Sequence, residues 1–174
     1  GYRANQNATV ISDIKDFSNF YKDKNFIQIK DKTLPFKDKE FDFVIASHVI
    51  EHVEDVNFFL KELERVSSKG YIELPTSLED NLVFENKNDH LWHMTFDDIH
   101  QKLLITKRIQ YIEPVITVST AKKLAKYFRQ SLILELFWEK SIEFELIESS
   151  DLKFKKLSRL TLLRKFFSKL LRNL

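Results

Sequence analysis

The 174-residue sequence contains no cysteine and only two glycines, Gly1 and Gly70. Without thiols there can be no disulfide framework, thiolate zinc site or iron–sulfur cluster, and any metal ion would have to be held by His, Asp or Glu. Two glycines placed so far apart exclude a complete Gly-rich phosphate or dinucleotide loop within these residues. No apolar run approaches the ~18 residues of a membrane-spanning helix. What is present, 43% hydrophobic and 31% charged residues, is the composition of a globular domain long enough to bury a core unaided.

The formal charge of +2 is unevenly spread. From Asp151 to Leu174 eight basic residues face a single acid, so that segment carries +7 and the body before it −5. An acidic body is a poor match for nucleic acid, whose affinity comes largely from phosphate neutralisation. In the tail, Leu160, Leu163, Phe167, Leu170, Leu171 and Leu174 recur at helical spacing with Lys165, Lys169 and Arg172 opposite them. Such a cationic amphipathic helix suits an anionic membrane surface, and equally an apolar stripe packed on the body or on a second subunit. No secretory leader is visible, and the expected setting is the cytoplasm, with peripheral contact at the inner face of the membrane through 151–174.

Along the body, Ala8–Asp13 reads as a buried parallel strand ending in an acid, and Phe17, Phe20 and Tyr21 follow at helical spacing. Phe26–Ile29 and Phe41–Ala46 are further strands, with a break at Leu34-Pro35-Phe36 between them. Asp55 is placed to cap a helix from Val56 to about Lys69, stopped by Gly70, before a strand at Tyr71–Leu74. The alternation predicts an α/β fold with an open, mostly parallel sheet. Beyond Pro75, Thr76–Asp89 reads as a polar loop. Thr95 and Asp98 fit a capping box opening a helix to about Leu104, a hairpin through Asp97-Asp98 being the alternative. Arg108–Ile112 is read as a strand. A helix opening at Ser119 carries Leu124, Tyr127, Phe128, Leu132 and Leu136, and Ile142–Ile147 forms a half-buried strand.

The stretch Leu34-Pro-Phe-Lys-Asp-Lys-Glu-Phe-Asp-Phe-Val-Ile-Ala-Ser-His-Val-Ile-Glu-His-Val53, continuing through Phe59–Val66 and Tyr71–Pro75, resembles class I S-adenosylmethionine-dependent methyltransferases of the small, soluble kind. The likeness covers roughly the first 75 residues and is thin beyond them. It implies a Rossmann-like sheet with S-adenosylmethionine bound across the carboxyl ends of the strands. By the same resemblance Asp13 takes both ribose hydroxyls, and Asp31, one residue later than the family's usual acid before Leu34-Pro-Phe, lies near the adenine. Ala46, Ser47 and His48 then end the strand beside the methionine moiety and the transferable methyl. Gly1 matches the last glycine of the family's loop, which implies that the first strand and most of that loop are missing from this chain. An empty slot in the sheet and weak cofactor binding follow as expectations.

The implied organisation is a methyltransferase-like domain over 1–150, with 1–75 as the cofactor half and 76–150 shaping the acceptor side, followed by the basic helix of 151–174. The implied activity is methyl transfer to a small-molecule or glycan-type acceptor. Where a proton must leave the acceptor, His48 or His93 is the expected base, with Trp92 as an apolar wall. Competing readings are a non-catalytic relative serving as a binding module and a nicotinamide-dependent enzyme on a related sheet. His48-x-x-Glu51-His52 also spells an inverted zinc-protease motif. That motif belongs in the middle of a helix, whereas here a strand runs directly into His48. His52 is expected to be a packed, hydrogen-bonded side chain and His100 to face solvent without a partner. If the segment holding His90 and His93 is extended, the two point opposite ways.

Overall fold

The computed structural model describes residues 4–148 and 157–172. Gly1 and residues 149–156 lie outside the described residues. Two short parallel strands, β1 (Val10–Asp13) and β2 (Asn25–Gln28), open the fold. A second sheet has the order β3–β4–β7, from Val44–Ser47, Lys69–Pro75 and Ile133–Glu139, with β3 parallel and β7 antiparallel to β4. A third, β5–β6–β8, is built from Trp92–Asp97, Lys102–Lys107 and Phe144–Ile147. The mixed α/β architecture with parallel first strands is Rossmann-like, as expected, but among the described residues its ladders divide into three sheets. Among the described residues β1 pairs with β2 alone and β3 with β4 alone, so each keeps one edge without a ladder partner.

Helix α1 (Val56–Val66) starts where Asp55 accepts a hydrogen bond from Phe58 N at 3.0 Å. It lays Val56, Leu60, Leu63 and Val66 into a core completed by Ala46, Ile50, Ile72, Leu74, Leu103 and Ile105. The helix ends at Val66, not Lys69, and Gly70 is no helix stop. It sits in β4 between Val44 and Trp138, where a Cβ would come 2.5 Å from Val44 O and 2.9 Å from the Trp138 ring. Glycine is needed there for close strand approach.

Arg65 and Glu62 fasten the loop before β3 to α1. Glu62 accepts from Leu34 N at 2.7 Å, while Arg65 donates to Leu34 O and Phe36 O and pairs with Glu62 at 2.7 Å. The hydrogen bonds from Arg65 hold the Glu62 carboxyl below its ordinary pKa against burial, helped by the Leu34 amide.

Several expectations are corrected. Phe17, Phe20 and Tyr21 form turns rather than a helix, the rings of Phe17 and Tyr21 packing on Phe26 instead. The stretch 76–89 contains α2 (Ser77–Leu82), capped by Thr76, and the single turn α3 (Asn86–Asp89). Thr95–Leu104 is the β5–β6 hairpin, because Asp97 Oδ1 accepts from Ile99 N and His100 N and turns the chain back. Residues 108–111 are irregular backbone rather than a strand, with Ile112 reduced to a single bridge to Leu157. Helix α4 (Val118–Leu132) is capped by Thr117 and stops before Leu136, which lies in β7. The tail helix α5 (Arg159–Arg172) forms, and Leu160, Leu163 and Phe167 on its stripe are exposed.

Candidate active site

Three strands bring one polar row together. Ser47 of β3 is in register with Glu73 of β4, which faces Glu135 of β7. Ser47 Oγ donates to Glu73 Oε1 at 3.0 Å, and His48 N donates to Glu73 O at 2.8 Å. Two carboxylates directly opposite would repel. Arg129 of α4 relieves this by bonding to both, and the Tyr71 hydroxyl lies 2.9 Å from Glu73 and 2.5 Å from Glu135. Burial opposes ionisation of Glu73, yet the hydrogen bonds of Tyr71, Ser47 and Arg129 carry its pKa below the usual value. Burial and the two acceptor carboxylates push the Tyr71 phenol well up.

His48 stands at the carboxyl end of β3 with φ 52°, a left-handed conformation that costs a side-chain-bearing residue. Its Nδ1 is 3.3 Å from Glu51 Oε1 and its Nε2 3.6 Å from Glu73 Oε1, with the side chain 44% exposed. The Glu51 carboxylate raises the His48 pKa against burial, and Glu73 and Glu79 add to it. The chain then enters a 3-10 turn, Ile50–His52, so His48 and His52 do not share a helix as a zinc protease would require. Asp13 ends β1, its Oδ1 accepting from Lys15 N at 2.9 Å. Asp31 lies in an exposed bend.

The side chains of Leu34 and Ala46 are turned into the protein interior. Both are core residues, and Leu34 has its amide on Glu62 and its carbonyl on Arg65. His93 is also buried, its Nε2 on Asp80 Oδ2 at 2.7 Å. Asp80 further accepts from His90 Nδ1 and from Arg108 Nε at 2.5 Å. Burial alone would raise the Asp80 pKa, but His90, His93 and Arg108 hold it well below the carboxylate range. His90 and His93 therefore converge, contrary to the expectation from an extended segment, because β5 begins only at Trp92. Trp92 donates Nε1 to Val53 O at 2.7 Å. His52 is hydrogen-bonded to Asp89 O, as expected, but is exposed rather than packed, and exposed His100 has a partner in Asp97 at 2.7 Å.

Sequence reasoning missed the Asp80–Arg108 network and the Glu73–Arg129–Glu135 row. Only Thr76-x-x-Glu79, a capping-box spacing, marked the helix that carries Asp80.

As for the cofactor, the carboxylate that ends β1 can accept from ribose hydroxyls, and the polar Ser47-His48 pair at the end of β3 suits the methionine side of S-adenosylmethionine, both strands belonging to parallel pairs. No curated protein matches the chain. The sequence model of a methyltransferase domain matches residues 5–72, the span from before β1 through most of β4. Residues 5–72, less than half of the chain, are thus similar to a methyltransferase domain.

Proposed function

We propose that the protein directs methyl transfer to a small-molecule or glycan-type acceptor at the rim formed by Asp13 and Ser47-His48. The observation that carries this reading is that the methyltransferase match includes both residues that end β1 and β3. S-adenosylmethionine, when bound, supplies an activated sulfonium methyl, so alignment of acceptor and methyl does most of the work. Asp13 would hold the ribose diol, exposed Asp31 the adenine edge, and the 46–48 backbone would border the methionine end. Of the two expected bases, His48 is the one open to solvent, and we assign it the proton of an acceptor hydroxyl or ammonium. The acidic body disfavours nucleic acid as acceptor. We further assign the basic segment 151–174, with Leu160, Leu163 and Phe167 exposed on α5, to an anionic membrane surface.

The test is a titration of the 15N-labelled protein with S-adenosylhomocysteine. Shifts at the amides of Asp13 and Ser47-His48, saturating above micromolar concentration and lost in Asp13→Ala, are expected. Saturating shifts elsewhere, or none at all up to millimolar ligand, would overturn the assignment. In a methyl-release assay with a turned-over acceptor, His48→Ala is expected to lower turnover at least tenfold, and an unchanged rate removes its role as base.

A further inference from the structure

Glu51 poses a problem that the methyl-transfer reading does not address. Its side chain is buried, the residue being 1% exposed, yet neither carboxylate oxygen accepts a hydrogen bond. The ion-pair contact with His48 at 3.3 Å is too poorly aligned to serve as one. Leaving a carboxylate dry and unbonded costs several kcal/mol unless a cation meets it.

Two imidazoles lie beside it. A carboxylate oxygen of Glu51 and one ring nitrogen each from His52 and His90 all fall within 4.8 Å of one another, and the two rings meet edge to face with centroids 4.6 Å apart. Each ring commits Nδ1 to an oxygen, His52 to Asp89 O at 2.9 Å and His90 to the Asp80 carboxylate. A carbonyl can only accept, so His52 carries its proton on Nδ1 and keeps the Nε2 lone pair. The same tautomer is favoured for His90 by Asp80, which Arg108 and His93 hold in place. Such carboxylate–histidine and carbonyl–histidine bonds are the usual outer supports of metal-bound imidazole. The backbone is tied as well, since Leu91 N donates to Glu51 O at 2.7 Å and fixes the chain after His90 against the turn that carries Glu51 and His52.

We propose that Glu51, His52 and His90 form a binding site for a divalent transition-metal ion of the zinc type. Two imidazoles and one carboxylate are a His2Glu set, which leaves a fourth position for water or another ligand. Tetrahedral bonds of about 2.0–2.1 Å place ligand atoms about 3.4 Å apart, so small side-chain rotations must draw the three atoms together. The set differs from the sequence motif, which would have paired His48 with His52. Bound metal would clip the turn after β3 to the segment entering β5.

The test uses untagged protein stripped with chelator, titrated with Zn2+ by calorimetry and with Co2+ by visible absorption. One Zn2+ per chain is expected, with tetrahedral Co2+ bands displaced by Zn2+. His52→Ala, His90→Ala and Glu51→Gln should each weaken binding at least tenfold. Exposed His100→Ala should leave it unchanged. His52 is on the surface, so His52→Ala keeps the fold, verified by circular dichroism, and decides the matter if the buried variants unfold. Failure of the folded protein to take up Zn2+ or Co2+ stoichiometrically, or uptake unaltered in His52→Ala, rules the site out.

Discussion

His90 and His93 meet on one carboxylate, His90 Nδ1 on Asp80 Oδ1 and His93 Nε2 on Asp80 Oδ2. The arrangement depends on a junction. His90 caps α3 in extended backbone, while His93 already belongs to β5, so the strand alternation that would separate them does not apply across the pair. Asp80 itself is 1% exposed and also receives Arg108.

Removing that carboxylate strands a buried arginine and two imidazoles at once. Asp80→Ala is expected to destabilise the protein by about 3–5 kcal/mol, the cost of breaking a buried pair by one partner. Urea denaturation measures it. A loss below 1 kcal/mol would mean that Arg108 and the histidines are satisfied by water instead.

Gly70 tests the packing of the central sheet. A methyl there meets Val44 O, a backbone atom that cannot swing aside, and the Trp138 ring across β7. Gly70→Ala should lower stability by about 1–3 kcal/mol, as overpacking does, with a lower denaturation midpoint and an unchanged urea dependence. A neutral or stabilising effect would show that β3 and β4 have room to separate.

How far these features could be read in advance follows from the range of the interactions that create them. Strands β1, β2 and β3 and the Asp55 cap were legible because each is a local pattern, a short β-branched or aromatic run or a side chain bonding three residues on. The Thr95–Asp98 spacing was ambiguous, since the same acids that cap a helix also turn a hairpin, and β6 pairing with both β5 and β8 decided it. Leu136 continued a helical stripe but was taken by β7, whose ladder with β4 runs from Lys69 to Pro75. The site networks were not legible at all. Arg108 reaches Asp80 across 28 residues and Arg129 reaches Glu73 across 56, separations that no window of sequence pattern spans.

Glu62 gives the pH dependence of the fold. Its pKa is lowered in the native state, so the unfolded chain takes up the proton first as acid is added. The stabilisation is complete above the ordinary glutamate value of about 4.3 and is lost as pH falls through the lower native value. Glu62→Gln should cost about 1–3 kcal/mol at pH 7 and progressively less below pH 4. Urea midpoints of both proteins from pH 7 to pH 3 measure the gap. A gap that stays constant would assign the loss to packing rather than to charge.

The tail helix yields the last prediction. Leu160, Leu163 and Phe167 are each more than half exposed, although they form the apolar stripe of α5, while the start of the helix is held to the body by Arg159, which donates to Pro114 O and lies over the Phe84 ring. An anchored helix with an open apolar face and a segment charge of +7 gains from an anionic bilayer both by burial and by Coulomb attraction. The protein should therefore float with vesicles rich in phosphatidylserine and stay behind with neutral ones. Leu160→Glu with Phe167→Glu should abolish flotation even at low salt, because burying a charged face in the interface is unfavourable. If the double variant floats as well as the parent, the attraction is electrostatic alone and the exposed stripe has another use. If neither floats but the parent sediments as a dimer that the variant does not form, the stripe is covered by a second copy of the chain.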